Sequence, residues 1–134
     1  MSGRAVARRI AGYRHEVDID GEHTLTTDEP ESEGGANTGP RPTRVLAASL
    51  AACTATTIEM YANRKGWDVG QLEVEVEIEY DGPVPSQFTV TLHLPGGLTE
   101  EQLERLRVIA GKCPVHKVLA SETSVAITDR VAPL

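Results

Sequence analysis

Cys53 and Cys113 are the two cysteines of a 134-residue chain, and they stand in contrasting surroundings. Cys53 lies in Val45 to Ile58, an uncharged, alanine-rich stretch that reads as a buried helix. Cys113 closes an amphipathic helical pattern and directly precedes Pro114. The thiolate is the nucleophilic form of cysteine, so the question at each position is what could hold a negative sulfur. A short helix starting at Pro114 puts Cys113 near unpaired backbone N–H groups and the positive end of the helix dipole. Cys53 has no such terminus and needs a cation, for which Arg14 and Arg44 are the candidates. Arg44 sits nine residues earlier on the same helix. That is about two and a half turns, which sets it on the opposite side and about 13 Å along the axis. Two thiols on separate helices suggest a redox pair, if folding brings them together. The simpler alternative at each position is a small, packed apolar side chain.

Other chemistries find weaker support. Cys113 and His116 form half of a zinc spacing, but a structural zinc needs four ligands. The remaining His15, His23 and His93 offer no second close pair. The glycines of GGANTG lack the Lys-Ser/Thr of a phosphate loop, and no Gly-x-Ser-x-Gly elbow occurs.

The elements that must position the thiols follow from periodicity. Tyr13, His15, Val17 and Ile19 alternate with charged residues, predicting a half-buried strand. Asp20-Gly21 then favours a tight hairpin turn, with His23 to Thr27 as the return strand. Asp28 to Arg41 is rich in Gly, Pro and Glu and reads as a long surface loop. Pro42 opens a helix that runs to about Lys65, with Gly66 as its stop. A helix apolar around its whole circumference must be covered on all sides, and one small domain can hardly do so, so a second subunit is expected to cover part of it. Leu72 to Tyr80 and Phe88 to Leu94 alternate as two strands joined by a turn-rich Asp81 to Gln87. Thr99 and Gln102 form a capping box opening the helix that leads to Cys113. Pro114 to Leu119 reads as a short helix and Ser124 to Val131 as a last strand. This order gives an α+β fold with segregated layers.

Composition sets the outer bounds. The length suits a single domain, residues 1–134, burying roughly two thirds of its unfolded surface. A net charge of −7 argues against a nucleic-acid partner, because phosphates demand clustered Lys and Arg. Arg4, Arg8 and Arg9 read as a solvated terminus. No apolar core follows them, so no secretory signal is expected. The uncharged run falls short of the ~20 apolar residues of a membrane span. A cytoplasmic location is expected, and in a reducing compartment a disulfide between the two cysteines would be transient.

Taken together, DEPESEGGANTGPRPTRVLAASLAACTATTIEMYANRKGW and the later GKCP resemble the OsmC/Ohr superfamily, closer to its broad OsmC-like branch. The features that carry the likeness are the Gly-Gly loop, the Pro leading into a helix with Ala-Ala-Cys, and a Cys-Pro 60 residues on. The resemblance implies an intertwined homodimer with a long buried central helix and antiparallel sheets. It also implies thiol-dependent reduction of hydroperoxides, preferably organic ones, with no metal or organic cofactor. On that likeness Cys53 matches the peroxidatic cysteine and Cys113 the resolving one. An external thiol or dithiol would restore both. The family's catalytic Arg comes from the N-terminal strands, which makes Arg14 the best match, with Arg9 an alternative. The family often carries a Glu after the helix-opening proline to orient that Arg. Here Pro42 is followed by Thr43 and Arg44, which are the expected substrate contacts instead, with Arg44 lending charge across the dimer. The same departure keeps a rival open: a non-catalytic dimer that binds a small apolar or electrophilic ligand at its interface.

Overall fold

The computed structural model describes residues 1–134. Its elements are β1 (Ala5–Ala11), β2 (Arg14–Ile19), β3 (His23–Thr27), α1 (Pro42–Lys65), β4 (Glu73–Asp81), β5 (Val84–His93), α2 (Glu100–Ala110) and α3 (Pro114–Leu119). The chain is α+β, as its sequence order implies. It divides into two compact units: residues 1–48 with 78–86, and residues 49–77 with 87–134.

The first unit carries an antiparallel sheet in the order β1-β2-β3. The β2–β3 turn forms where expected, with Asp20 at φ 57° and Gly21 at φ 70°. Two consecutive positive φ values match the right-handed twist of the strands they join. The Asp18 carboxylate accepts the Gly21 N–H at 2.8 Å and holds the turn. Strand β1 is a correction to the sequence reading, which took its arginines as a solvated terminus. All of β1 except Val6 is exposed, so no buried face marks it in sequence; its backbone pairing with β2 makes it a strand.

The Asp28–Arg41 connection is better tied down than its composition suggests. Asp28 is buried and accepts the Glu29 N–H at 2.7 Å, the Thr38 N–H at 3.1 Å and the Thr38 hydroxyl at 2.6 Å. These bonds, the Thr38 hydroxyl foremost, hold its carboxyl down at about 2. The glycines here answer to close approach: a Cβ on Gly39 would lie 2.6 Å from the Thr26 carbonyl oxygen, and one on Gly35 would collide with the Glu29 backbone.

In the second unit, Ile58, Tyr61 and Ala62 of α1 pack with Val69, Leu106 and Ile109 as a core. The sequence reading takes the uncharged run as too short for a membrane span, whereas the 24-residue α1 is long and apolar enough by length and composition; its Ile58, Tyr61 and Ala62 serve this core. The covering is partial, since Ala52 and Thr56 are exposed and Met60 is 64% exposed. Helix α2 opens on the expected capping box. The Gln102 N–H donates to the Thr99 hydroxyl at 3.1 Å, and the Thr99 N–H donates to the Gln102 side chain at 2.9 Å.

Two sequence expectations need correction. The β4–β5 connection shrinks from Asp81–Gln87 to Gly82-Pro83, because β5 begins at Val84. Pro85 is tolerated in β5 because a two-stranded sheet leaves each strand an edge free of backbone pairing. The strand expected over Ser124–Val131 does not form. Its Val125 and Ile127 are 60% and 85% exposed. An alternating pattern becomes a strand only when a neighbour accepts and donates its ladder of hydrogen bonds, and none pairs with this segment.

Candidate active site

Both thiols belong to the second unit. Cys113 occupies the N-cap of α3 with φ −56° and ψ 130°, the extended conformation that a following proline imposes. It is fully buried, and its sulfur accepts the His116 N–H at 3.4 Å. Cys53 is half-buried on α1. The Cys113 thiol is near enough to the Cys53 thiol to shift its ionisation, and both cysteines are free. Folding therefore brings together two sulfurs 60 residues apart in sequence.

Two further groups lie near enough to the Cys53 sulfur to affect its ionisation, the Val115 N–H and the Thr57 hydroxyl. The Thr57 hydroxyl also donates to the Cys53 carbonyl at 2.8 Å. Burial pushes the Cys53 thiol up, and the neighbouring Cys113 thiol pushes it further. The Val115 amide and the Thr57 hydroxyl act in the opposite direction without cancelling the rise. Cys53 is thus harder to ionise than an ordinary thiol, and the groups that ease its ionisation are neutral dipoles. The sequence reading missed both. Thr57 could have been found, since it stands one helical turn after Cys53 on the same face. Val115 could not, because its role depends on how α3 docks.

The other expected site residues lie in the first unit. Arg14 is exposed at the start of β2. Arg9 is exposed on β1, and its Nε donates to the Gly12 carbonyl at 2.9 Å. Thr43 and Arg44 both engage Tyr80. The Thr43 and Tyr80 hydroxyls are 2.8 Å apart, and Arg44 Nε donates to the Tyr80 oxygen at 2.9 Å. The Arg44 guanidinium also lies 5.5 Å from the Tyr80 ring centroid, within range of a cation–π contact. Burial works against ionising Tyr80. The hydrogen bonds from Thr43 and Arg44 and the charges of Arg44 and Arg41 outweigh it, leaving the phenol more acidic than usual.

His116 Nδ1 lies 3.4 Å from a Glu122 carboxylate oxygen, close enough for an ion pair but not aligned as a hydrogen bond. No three His, Cys, Asp or Glu side chains gather as metal ligands would.

This thiol geometry can be set beside known proteins. The OsmC-like protein family profile matches residues 34–128, a span that includes both cysteines. Comparison with curated proteins finds no match. Among solved structures, an OsmC-like protein from Mycoplasma pneumoniae superposes with a TM-score of 0.78 at 17% identity, over 90% of this chain and 88% of that one. An organic hydroperoxide resistance protein OsmC from Legionella pneumophila gives 0.66 at 25% identity, over 89% of each chain. The organic hydroperoxide resistance protein OhrB of Bacillus subtilis gives 0.60 at 24% identity, over 88% of this chain and 90% of that one. With the profile spanning residues 34–128, most of its length, the chain belongs to the OsmC-like family.

Proposed function

We propose that the protein is a homodimeric, cytoplasmic, cysteine-based hydroperoxide reductase acting through Cys53 and Cys113. The observation that carries this reading is the proximity of the two free thiols, close enough for Cys113 to shift the ionisation of Cys53. Cys53 loses its proton, and its sulfur attacks the outer peroxide oxygen. The O–O bond breaks, an alcohol leaves with a proton, and Cys53 becomes a sulfenic acid. The Cys113 sulfur then attacks the Cys53 sulfur, water departs, and a disulfide joins them. An external thiol or dithiol returns two electrons by exchange and regenerates both thiols. The reaction balances without a metal or organic cofactor.

The Val115 amide and Thr57 hydroxyl would steady the sulfur as charge develops on it. Arg14 is the proposed cation for the peroxide. Thr43 and Arg44 remain substrate contacts in this reading, held in place by Tyr80. Dimerisation is supported by the exposed Ala52, Thr56 and Met60 on a helix whose opposite face is core. Hydroperoxide-resistance names among the structural relatives point the same way.

The test is intact mass and free-thiol count after one equivalent of an organic hydroperoxide. Loss of both thiols with formation of a disulfide, absent in Cys53→Ala, supports the proposal. Two thiols still titrating after exposure refute it. A non-catalytic, ligand-binding dimer is the alternative, favoured by one observation: the Cys53 thiol is pushed up and not down.

A further inference from the structure

Tyr61 lies at the C-terminal end of α1, away from any role in the thiol chemistry above. Three cations surround its ring: the Arg105, Lys65 and Arg64 charges lie 5.6, 5.7 and 5.9 Å from the centroid. None of the three forms an ion pair with a carboxylate. In a chain of net charge −7, such a concentration of uncompensated positive charge is out of keeping with the rest of the surface.

Of this group, Tyr61 and Arg105 line a cleft of about 740 Å³ together with Trp67, Gln102 and Val108. Tyr61 and Trp67 meet edge to face with centroids 5.6 Å apart, making a rigid aromatic wall that Val108 extends. Arg105 Nε donates to the Tyr61 hydroxyl at 3.0 Å. That bond occupies the phenol's oxygen and leaves its proton free to donate. The guanidinium likewise keeps its terminal N–H groups. Arg105 and its neighbouring cations also make the phenol more acidic than usual, hence a stronger donor. The Thr99 and Gln102 side chains are committed to their capping box, so Tyr61 and Arg105 supply the polar recognition.

Two donors side by side over an aromatic wall suit a planar, singly charged group with a flat apolar body. Glu101 and Glu104 also line the cleft. Glu104 is taken up by Arg107 in two hydrogen bonds of 2.6 and 2.9 Å, while Glu101 is not so engaged. Their negative charge disfavours phosphates and other multiply charged anions. We propose that this cleft is a second binding site, separate from the thiols, for small aromatic carboxylates, with Arg105 and Tyr61 receiving the carboxylate and Trp67 stacking against the ring.

Trp67 is the single tryptophan of the chain and lines this cleft, so its fluorescence responds to binding there; it also borders a second hollow beside Met60 and Val69, and the Arg105 variant below tells the two apart. The experiment titrates the full-length protein with sodium benzoate, with benzyl alcohol as the uncharged control. A saturable change in Trp67 emission is expected with benzoate and not with benzyl alcohol. Exposed Arg105→Gln should weaken it by about tenfold or more, since a hydrogen bond to a charged group is lost. Tyr61→Phe keeps the wall and should weaken binding less than Arg105→Gln does. Circular dichroism confirms that each variant is folded. No saturable change, an equal response to benzyl alcohol, or undiminished binding by folded Arg105→Gln would each overturn the proposal.

Discussion

Replacing Thr54 by valine should stabilise this protein, although most core substitutions do the reverse. Thr54 is 1% exposed, and its hydroxyl has no hydrogen-bond partner. Two neighbours on the same helix behave differently. Thr56 donates to the Ala52 carbonyl at 2.9 Å and Thr57 to the Cys53 carbonyl at 2.8 Å. A hydroxyl buried without a partner forfeits its hydration, at a cost of about 1–3 kcal/mol. Valine fills nearly the same volume with the same β-branching, so the helix term changes little and no cavity opens. The gain should be about 1 kcal/mol. For a chain of 134 residues, with ~2.1 cal/mol/K of unfolding entropy per residue, that raises Tm by about 3–4 °C. Thr57→Val, which deletes a bond that is made, should lower stability by about 1 kcal/mol. Thermal and urea denaturation at one fixed protein concentration would measure both, so that any mass-action contribution is held constant. If Thr54→Val proves as destabilising as Thr57→Val, the Thr54 hydroxyl has a partner in the folded protein and the reasoning fails.

Two other expectations follow from the charged and nucleophilic groups. Asp28 has its carboxyl held at about 2, against an ordinary 3.8. A lowered folded-state value means its contribution is fully present above about pH 4 and drains away as pH falls toward 2. Urea midpoints between those limits should therefore fall less steeply for Asp28→Asn than for the parent; parallel curves would show that Asp28 is not the group responsible. Removing Cys113 removes one of the influences pushing the Cys53 thiol up. In Cys113→Ala, the pH midpoint for alkylation of Cys53 by iodoacetamide should move downward, and an upward shift would contradict the assignment.

Much of the local structure was written in short stretches of sequence. Pro42 and Gly66 bracket α1, the Thr99–Gln102 box opens α2, Asp20-Gly21 makes its turn, and Cys113 precedes the proline that starts α3. Each depends on groups a few residues apart, so the residue types alone settle the outcome. Strand β1 escaped notice because pairing with β2, not a buried face, makes it a strand. The tail from Ser124 misled for the complementary reason: its alternation is real, but no neighbouring strand accepts it.

The sequence by itself determined where the helices and the Asp20-Gly21 turn lie and which thiols exist. Only the tertiary structure decided that Cys53 and Cys113 are neighbours, that a Val115 amide lies near the Cys53 sulfur, and that Thr43 and Arg44 converge on Tyr80. Those encounters join positions 36 to 62 residues apart. Chain segments so separated are brought together by burial of apolar surface, which has no direction and leaves no local mark. The chemistry of each side chain is legible in one dimension, but its partners are fixed only in three.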